Sequence, residues 1–296
     1  MSGDTRSCYN REFSGFQENG DSGRPAAKST RETGKERTTS LRICVLGSGS
    51  GGNAVFIATE KIRLLVDAGF SFREISKRLH AIGEKPENLD GVPISHEHSD
   101  HVKGLYQIAK RLRCPIYITR LTEQTLSWDG IEPNIEPFEA GARLVIGDLA
   151  IDSFTVPHDA ADPVAFCFHH QGVKAGIVTD LGYMPDSVKQ HIKGCDMLVL
   201  ESNHDLEMLK VGPYPWFVKQ RVMSRVGHLS NKAVSDFLVE DFDRASRLFV
   251  LAHLSDNNNH PEVARMFAHS ALKEIGAEKI RLEIAPQKTP TEVFEF

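Results

Sequence analysis

The chain has 296 residues, of which 40% are hydrophobic and 25% are charged, and its formal net charge at pH 7 is −5. This balance is typical of a globular protein, and the length suits one large domain. The acidic charge excludes the strong basic excess of many nucleic-acid binders, so a polyanionic substrate would have to be held by local charge and metal.

Two features of the sequence favour a reducing compartment. No run approaches the roughly 18 apolar residues of a membrane-spanning helix, and the start MSGDTRSCYNREF has no apolar signal core. The cysteines form no CxxC pair, and their odd number argues against a disulfide framework. We therefore expect a cytoplasmic protein without membrane association, with buried thiols at Cys8, Cys44, Cys114, Cys167 and Cys195.

The chain divides by composition near residue 40. Residues 1–40 contain no Val, Ile or Leu and are rich in Ser, Thr, Gly and charged side chains. Such a segment cannot bury enough surface to offset its conformational entropy, so we predict a disordered tail over residues 1–40. Short apolar runs begin at Leu41, and we predict one folded domain over residues 41–296.

Apolar runs of four to seven residues, separated by Gly or charged turns, predict strands at LRICVL, NAVFIAT and IRLLVD. A helix is predicted over residues 71–82, where Ser71 and Glu74 fit a capping box. Further strands are predicted near residues 90–94, 114–118, 148–156, 164–170, 173–179, 196–200, 247–252 and 280–284. Further helices are predicted near residues 102–112, 185–193, 231–242 and 261–275. This mixture favours sheets covered by helices.

The run GSGSGG at residues 47–52 fits a dinucleotide-binding fingerprint, with Asp67 twenty positions after Gly47. That site requires a helix to begin at the glycines, whereas the following NAVFIAT is β-branched and strand-like. We interpret the run as a loop between strands, with Ser48, Ser50 and Asn53 available to line a cavity.

The densest chemical signal is SHEHSDH at residues 95–101, which follows the apolar stretch GVPI. Alternate residues of an extended segment point the same way, so His96 and His98 can converge on one metal ion. A turn can then direct Asp100 and His101 toward a second ion. Three imidazoles and a carboxylate so closely spaced predict a metal site.

This cluster resembles the second motif of the metallo-β-lactamase superfamily, and the other motifs follow in order over nearly all of residues 41–296. Their counterparts are LLVDAG at 64–69, VPHD at 156–159, TDLG at 179–182 and LAHL at 251–254. The resemblance implies an α+β fold, a four-layer αββα sandwich in a single domain. Asp180 and His253 lie 73 positions apart, which leaves no room for an inserted β-CASP domain.

The resemblance also implies two divalent ions. One would be held by His96, His98 and His158, and the other by Asp100, His101 and His253, with Asp180 bridging them. Two such ions can share a water, lower its pKa to make hydroxide and stabilise charge in the transition state. Mixed histidine and carboxylate ligands suit Zn²⁺ or Mn²⁺ alike. Asp67 is expected to orient a cluster histidine rather than to bind metal.

Two later motifs bear on the substrate. ESNHD at 201–205 follows a predicted strand, and GHLSN at 227–231 precedes a predicted helix. In this arrangement the chain is similar to the tRNA 3′-processing enzymes of the fold, where a Glu–His dyad protonates the leaving oxygen. Glu201 and His228 occupy the matching positions, so the resemblance implies catalytic roles for both, alongside Asp100.

Taken together, GSGSGGN, SHEHSDH, VPHDA, TDLG, ESNHD and GHLSN are similar to the YycJ (WalJ) family of bacterial single-domain metallohydrolases. That resemblance implies a 5′-to-3′ DNA exonuclease; the polar tail departs from the family pattern. Candidate substrate contacts are Ser48, Ser50, Asn53, Asn203, His204, Lys219 and Arg221. Aromatic and basic residues interleave in YPWFVKQR at 214–221 and suit base stacking, although an amphipathic helix explains them equally well.

Three functions remain open from the sequence. Phosphodiester hydrolysis on DNA is favoured, and RNA processing is a variant of it. A thioester or small-ester hydrolase of the glyoxalase II type would need His228 little, because a thiolate leaves without a proton. A nucleic-acid-binding protein with structural metals would not need a second ion or a bridging Asp180.

Overall fold

The structure is a computed structural model that describes residues 40–296, so the predicted tail, apart from Ser40, lies outside the described residues. The strands in chain order are β1 (Arg42–Gly47), β2 (Ala54–Ala58), β3 (Arg63–Val66), β4 (Val92–Pro93), β5 (Ile116–Thr119), β6 (Ile135–Phe138), β7 (Arg143–Ile146), β8 (Leu149–Thr155), β9 (Val164–His170), β10 (Val173–Val178), β11 (Met197–Glu201), β12 (Leu248–Ala252), β13 (Arg281–Ile284) and β14 (Phe294–Glu295).

The helices are α1 (Phe72–Ala81), α2 (Ser99–Val102), α3 (Leu105–Leu112), α4 (Arg120–Gln124), α5 (Asp186–Ile192), α6 (Leu206–Val211), α7 (Trp216–Val222), α8 (Asn231–Glu240) and α9 (Pro261–Glu274). A short 3₁₀ helix covers Pro86–Asn88. Among the described residues, no helix is long and apolar enough to cross a bilayer.

The strands form two layers. In the first, β14, β1, β2 and β3 pair in that order, and β4, β5 and β6 form a parallel group. The two groups join because Leu65 and Asp67 donate backbone hydrogen bonds to Gly91 and Pro93 at 3.1 and 2.9 Å. In the second layer, β13, β12, β11 and β10 are parallel, and β9, β8 and β7 continue the sheet in antiparallel pairing.

Alternation along the strands builds three apolar layers. In β1, Ile43 and Val45 pack between the two sheets, whereas Cys44 packs against Leu79 of α1 on the outer face. On the far side of the second sheet, strand residues pack against α5, α8 and α9, through side chains such as Val234. Helices therefore cover both outer faces, which confirms the αββα sandwich.

The predicted elements are confirmed within a few residues, with two corrections. The helix predicted near 102–112 is two helices, α2 and α3, because the Gly104 N–H donates to the Ala68 carbonyl at 2.7 Å instead of to a carbonyl of α2. The capping box is half formed: Ser71 accepts from the Glu74 N–H, but the Glu74 carboxylate pairs with Arg78 at 2.9 Å.

The glycine run at 47–52 connects β1 to the antiparallel β2, so no helix starts there. This excludes a dinucleotide-binding site of the fingerprint type at the glycine run. Short strands such as β6 and β7 were not predicted, because Pro137 and exposed alternate residues weaken their apolar signal. Four of the predicted thiols are buried and unpaired, and Cys8 lies outside the described residues.

Candidate metal centre

Three predicted site residues follow buried strands with a left-handed backbone. Asp67 after β3, Asp180 after β10 and His253 after β12 have φ values of 60°, 61° and 52°. Such a conformation costs a non-glycine residue on the order of 1–3 kcal/mol, and it persists where surrounding contacts fix it. At these strand ends it turns the three side chains toward one shared site.

The cluster motif meets these strand ends. His96 and His98 lie on the extended segment after β4, and Asp100 and His101 lie on α2 rather than on a simple turn. Ligand atoms that lie within 4.8 Å of one another group as His96–His98–His158, as Asp100–His101–His253 and as His96–His101–Asp180. The structure thus brings together all seven residues predicted to bind metal.

Two buried side-chain atoms of this cluster lack hydrogen-bond partners and could bind a cation. His96 Nε2 is buried without a hydrogen-bond partner, and Asp180 Oδ2 lies 3.1 Å from His101 Nε2 without hydrogen-bond geometry. Burial and the neighbouring His101 hold the pKa of His96 well below its ordinary value, which favours the neutral imidazole. Buried polar atoms left unpaired are costly, and a divalent ion would satisfy them.

The Asp67 carboxylate holds the ring of His101, one of the predicted metal ligands, on the side away from the cluster. Ser95 donates to it through both its N–H and its hydroxyl, each at 2.8 Å, and His101 Nδ1 donates to Asp67 Oδ2 at 2.8 Å. His101 Nε2 consequently faces the cluster. Burial opposes charge on His101, but Asp180 and Asp67 outweigh it and raise its pKa well above the ordinary value. This geometry supports the expectation that Asp67 orients a histidine.

The Glu201 carboxylate forms hydrogen bonds with two histidines. Its Oε1 lies 2.7 Å from Nδ1 of both His228 and His253, and its Oε2 accepts the N–H groups of Leu181 and Leu229 at 3.1 Å each. Burial alone would raise the pKa of Glu201, but His228 and His253 outweigh it and lower that pKa to about 2. The residue is therefore a fixed carboxylate.

His228 stands at the edge of the same group. Burial disfavours its charged form, but the Glu201 carboxylate outweighs burial and raises the pKa of His228. Its ring lies 5.2 Å from both the His158 and the His253 rings, measured between centroids. A protonated imidazole so placed can donate a proton to a group leaving the metal cluster.

A cavity of about 210 Å³ opens onto the cluster. Among the predicted substrate contacts, Ser50 and Arg221 line it, next to His98, Asp100 and His228. Asp159, which was not among the predicted site residues, also lines the cavity, pairs with the Arg221 guanidinium and lies 3.6 Å from His158 Nε2. Its position directly after a predicted ligand was the only available signal.

Ser48 and Asn53 have roles other than the predicted ones. Ser48 donates to Asn53 Oδ1 at 2.8 Å and accepts the His253 N–H at 2.9 Å. The Asn53 amide nitrogen lies 3.0 Å from His101 Nε2 and 3.4 Å from Asp100 Oδ2. Both side chains are buried and occupied with these bonds. They therefore position ligands, and neither lines the cavity.

Three further candidates also lie off the cavity. Asn203 donates to the His253 carbonyl at 2.9 Å, and Lys219 is buried and donates to the Lys210 carbonyl at 2.7 Å. His204 is buried, and burial lowers its pKa to about 4. Asn203 and Lys219 are therefore engaged by bonds within the protein, whereas Nδ1 of the buried His204 has no hydrogen-bond partner. Ser95, which the sequence analysis passed over, belongs instead to the support of the cluster.

Comparison with known proteins shows the family of the chain. The family profile described as "Beta-lactamase superfamily domain" matches residues 62–253. The exodeoxyribonuclease YycJ of Bacillus anthracis is 36% identical over 264 residues, which cover 86% of this chain and 98% of the relative. The exodeoxyribonuclease WalJ of Streptococcus pneumoniae is 37% identical over 233 residues, or 76% of this chain and 86% of the relative.

The chain belongs to the metallo-β-lactamase superfamily and to its YycJ/WalJ family. Among solved structures, the metallo-beta-lactamase fold protein YhfI from Bacillus subtilis matches with a TM-score of 0.67 and 18% identity, over 87% of this chain and 100% of YhfI. At that identity the match shows the fold alone. The family and the histidine–aspartate cluster together identify this metallo-β-lactamase-fold chain as a hydrolase.

Proposed function

We propose that this chain is a metal-dependent phosphodiesterase that degrades DNA from a 5′ end toward the 3′ end. The observation that carries the proposal is the Glu201–His228 pair beside the metal cluster, with 2.7 Å between Oε1 and Nδ1. Cleavage of a phosphodiester expels an alkoxide, which needs a proton, and the Glu201 carboxylate raises the pKa of His228, which favours its protonated form.

The seven cluster residues would hold two divalent ions, Zn²⁺ or Mn²⁺, with Asp180 between them. When bound, such ions activate water and neutralise the charge that develops on phosphate. The protein's own groups do the rest: Asp67 and Glu201 fix the rings of His101 and His253, and His228 supplies the proton.

The choice of DNA rests on the two relatives that are named exodeoxyribonucleases and that align over most of this chain. The choice of 5′-to-3′ polarity rests on the family resemblance alone. Cytoplasmic location is part of the same proposal and rests on the odd number of cysteines and the lack of a CxxC pair, which suit a reducing compartment.

The alternative is a thioester hydrolase of the glyoxalase II type. A thiolate leaves without protonation, so that reaction would not require His228 as a general acid. The cavity also carries Arg221, a cation suited to phosphate. Both observations favour a phosphodiester.

The test is to incubate metal-loaded protein with linear DNA and RNA labelled at either end and with a small thioester. We expect 5′-labelled DNA to release labelled mononucleotides at once and 3′-labelled DNA to shorten progressively. The Asp100→Asn variant removes one ligand and should lose at least a hundredfold in rate.

Equal activity of Asp100→Asn and the unsubstituted protein would contradict metal-dependent hydrolysis at this cluster. Cleavage of the thioester alone would establish the alternative. Faster loss of label from the 3′ end would reverse the polarity, and faster cleavage of RNA would replace DNA as the substrate.

A further inference from the structure

A short irregular segment, residues 224–227, lies between α7 and His228. This segment, called the 224–227 loop, forms neither helix nor strand, so the hydrogen bonds of regular structure do not fix its course. Its contacts with other parts of the chain therefore decide where the His228 side chain lies.

Two carbonyls of the 224–227 loop are bonded to the segment that follows β8. The Asp159 N–H donates to the Val226 carbonyl at 3.1 Å, and His158 Nδ1 donates to the Gly227 carbonyl at 3.2 Å. A proton on Nδ1 leaves Nε2 of the neutral His158 ring free to face the cluster. The loop is thus tied to a proposed metal ligand as well as to the proposed acid.

Gly182 packs directly against the backbone of the 224–227 loop. A Cβ at Gly182 would fall 2.3 Å from the carbonyl carbon of Arg225 and 2.5 Å from the carbonyl oxygens of Ser224 and Arg225. Non-bonded atoms in a close-packed interior do not approach so closely, and backbone atoms cannot rotate away as a side chain can. The contact therefore requires glycine at this position.

The segment that carries Gly182 is itself held in place. The Gly182 N–H donates to the Pro157 carbonyl at 2.9 Å, and the Leu181 N–H donates to Glu201 Oε2 at 3.1 Å. Asp180, two residues earlier, ends the buried strand β10 and belongs to the ligand cluster. A side chain at position 182 would therefore displace the irregular loop rather than the strand end.

We propose that Gly182 is a positioning residue for the general acid: because it lacks a side chain, the 224–227 loop can place His228 against Glu201. This inference rests on the proposed function, in which His228 protonates the leaving oxygen. A misplacement of about 1 Å can cost on the order of a hundredfold in rate, so the packing of one glycine is sufficient to affect catalysis.

Tyr183 makes a second contact with the same loop. The guanidinium carbon of Arg225 lies 4.2 Å from the centre of the Tyr183 ring, in the arrangement of a cation–π contact. Arg225 is exposed and Tyr183 is half-buried, so this contact can be removed without disturbing the core. The strand end thus holds the loop by close backbone packing at Gly182 and by a side-chain contact at Tyr183.

The dependence of the rate on the leaving group gives the test. DNA expels an alkoxide that requires a proton, whereas bis(p-nitrophenyl) phosphate expels p-nitrophenolate, which does not. We expect Gly182→Ala to lower the ratio of the DNA rate to the bis(p-nitrophenyl) phosphate rate at least about tenfold. Both rates are measured at saturating metal, because the loop also holds His158. A ratio equal to that of the unsubstituted protein would overturn the proposal.

The matched control is Gly176→Ala, which lies on β10 itself. A Cβ there would approach the side chains of Leu198 and Cys195, at 2.9 and 3.2 Å, and not the 224–227 loop. This variant should lose stability by overpacking but keep the ratio of the two rates within about twofold. A similar fall in the ratio in both variants would assign the effect to general destabilisation and overturn the role of Gly182.

Substitutions of Tyr183 keep the proposal testable if Gly182→Ala does not fold. Tyr183→Leu should lower the ratio about twofold to fivefold, the worth of one exposed cation–π contact. Tyr183→Phe retains the ring and should restore the ratio of the unsubstituted protein. Equal ratios in Tyr183→Leu and Tyr183→Phe would contradict positioning of the loop by this strand end.

A crystal structure of Gly182→Ala separates this inference from the proposed function. We expect His228 Nδ1 to move beyond hydrogen-bond distance of Glu201 Oε1, compared with 2.7 Å in the unsubstituted protein. An unchanged 224–227 loop would overturn the positioning role, whatever the protein hydrolyses. If the unsubstituted protein cleaved no phosphodiester while the loop moved as expected, the proposed function would fail and Gly182 would still be shown to position His228.

Discussion

At the scale of single residues, Glu201 ties the leaving-group acid to a metal ligand. One of its oxygens accepts from both His228 and His253, at 2.7 Å each. Changes at the two ends of this chain of contacts should therefore have different consequences, because we propose His253 as a metal ligand and His228 as the acid, although both lie in one group of possible ligands with Asp180 and Glu201.

We predict that His228→Ala slows cleavage of DNA by about 10²–10⁴-fold, the usual worth of a general acid. The same variant should hydrolyse bis(p-nitrophenyl) phosphate nearly normally, because p-nitrophenolate leaves without protonation. Steady-state rates on the two substrates, with melting temperatures as a check on folding, measure the difference. An equal loss on both substrates would show that His228 does not act as the acid.

Glu201→Gln should lower activity on both substrates, since it releases the ring of His253 as well as that of His228. We expect its affinity for metal to fall by about 10–100-fold, as for other residues that orient ligands. Metal titration followed by calorimetry measures this directly. Unchanged metal affinity would mean that His253 is oriented by other contacts.

The seven proposed metal ligands could be named from the sequence, because four of them crowd into residues 95–101 and the others follow family motifs. The sequence did not distinguish Asn53, which supports ligands, from Ser50, which lines the cavity. Both are polar residues in one glycine-rich loop, and the direction of a side chain there depends on which backbone groups need partners. The partnership of Asp159 with Arg221 joins residues 62 positions apart, which spacing cannot reveal.

At the scale of elements, α2 is held by backbone bonds to two loops. Asn53 donates to the Asp100 carbonyl and Ala68 donates to the His101 carbonyl, both at 2.7 Å. Gly69 lies in the middle of this contact, where a Cβ would fall 1.7 Å from the Asp100 carbonyl oxygen. The cluster can therefore take its shape only if this position lacks a side chain.

We predict that Gly69→Ala destabilises the fold by about 3 kcal/mol or more, the upper range for overpacking, and displaces Asp100 and His101. Gly83→Ala is the control, because a Cβ there meets nothing within 4 Å and only its φ of +81° is unfavourable. That control should cost about 1 kcal/mol. Urea unfolding of both variants compares them, and similar losses would argue against a close contact at Gly69.

Elements were predictable where periodicity was strong and less so where tertiary contacts set the boundary. The buried strands β9, β11 and β12 match their predictions within a residue. The break between α2 and α3 depends on the hydrogen bond from the Gly104 N–H to the Ala68 carbonyl, a contact with a distant loop. Local propensity does not contain that information.

At the scale of the whole molecule, the cluster joins both sheets. His96, His98, Asp100 and His101 come from the first layer, whereas His158, Asp180 and His253 come from the second. Ions bound there would link the two layers across one edge of the sandwich. Because unfolding separates these ligands, metal binding should favour the folded state.

We predict that removal of both ions with EDTA lowers the melting temperature by roughly 10–20 °C, because each ion present at about a hundred times its dissociation constant contributes about 2.7 kcal/mol. Asp180→Asn, which lacks the carboxylate between the two ligand groups, should show a smaller shift. Scanning calorimetry with and without added Zn²⁺ or Mn²⁺ checks both. A melting temperature that does not change on addition of EDTA would mean that metal binding at the cluster contributes nothing to stability.

The positions of the proposed metal ligands along the chain determine the order in which they appear during protein synthesis. His96 is the first of them and His253 the last, with His158 and Asp180 between. A ribosome releases the chain from its N-terminal end, so the earlier ligands emerge well before their partners. A nascent chain can offer only part of the ligand set, and the hydrolytic centre becomes complete only once β12 has joined its sheet. The nuclease activity proposed here is thereby withheld until folding is nearly finished.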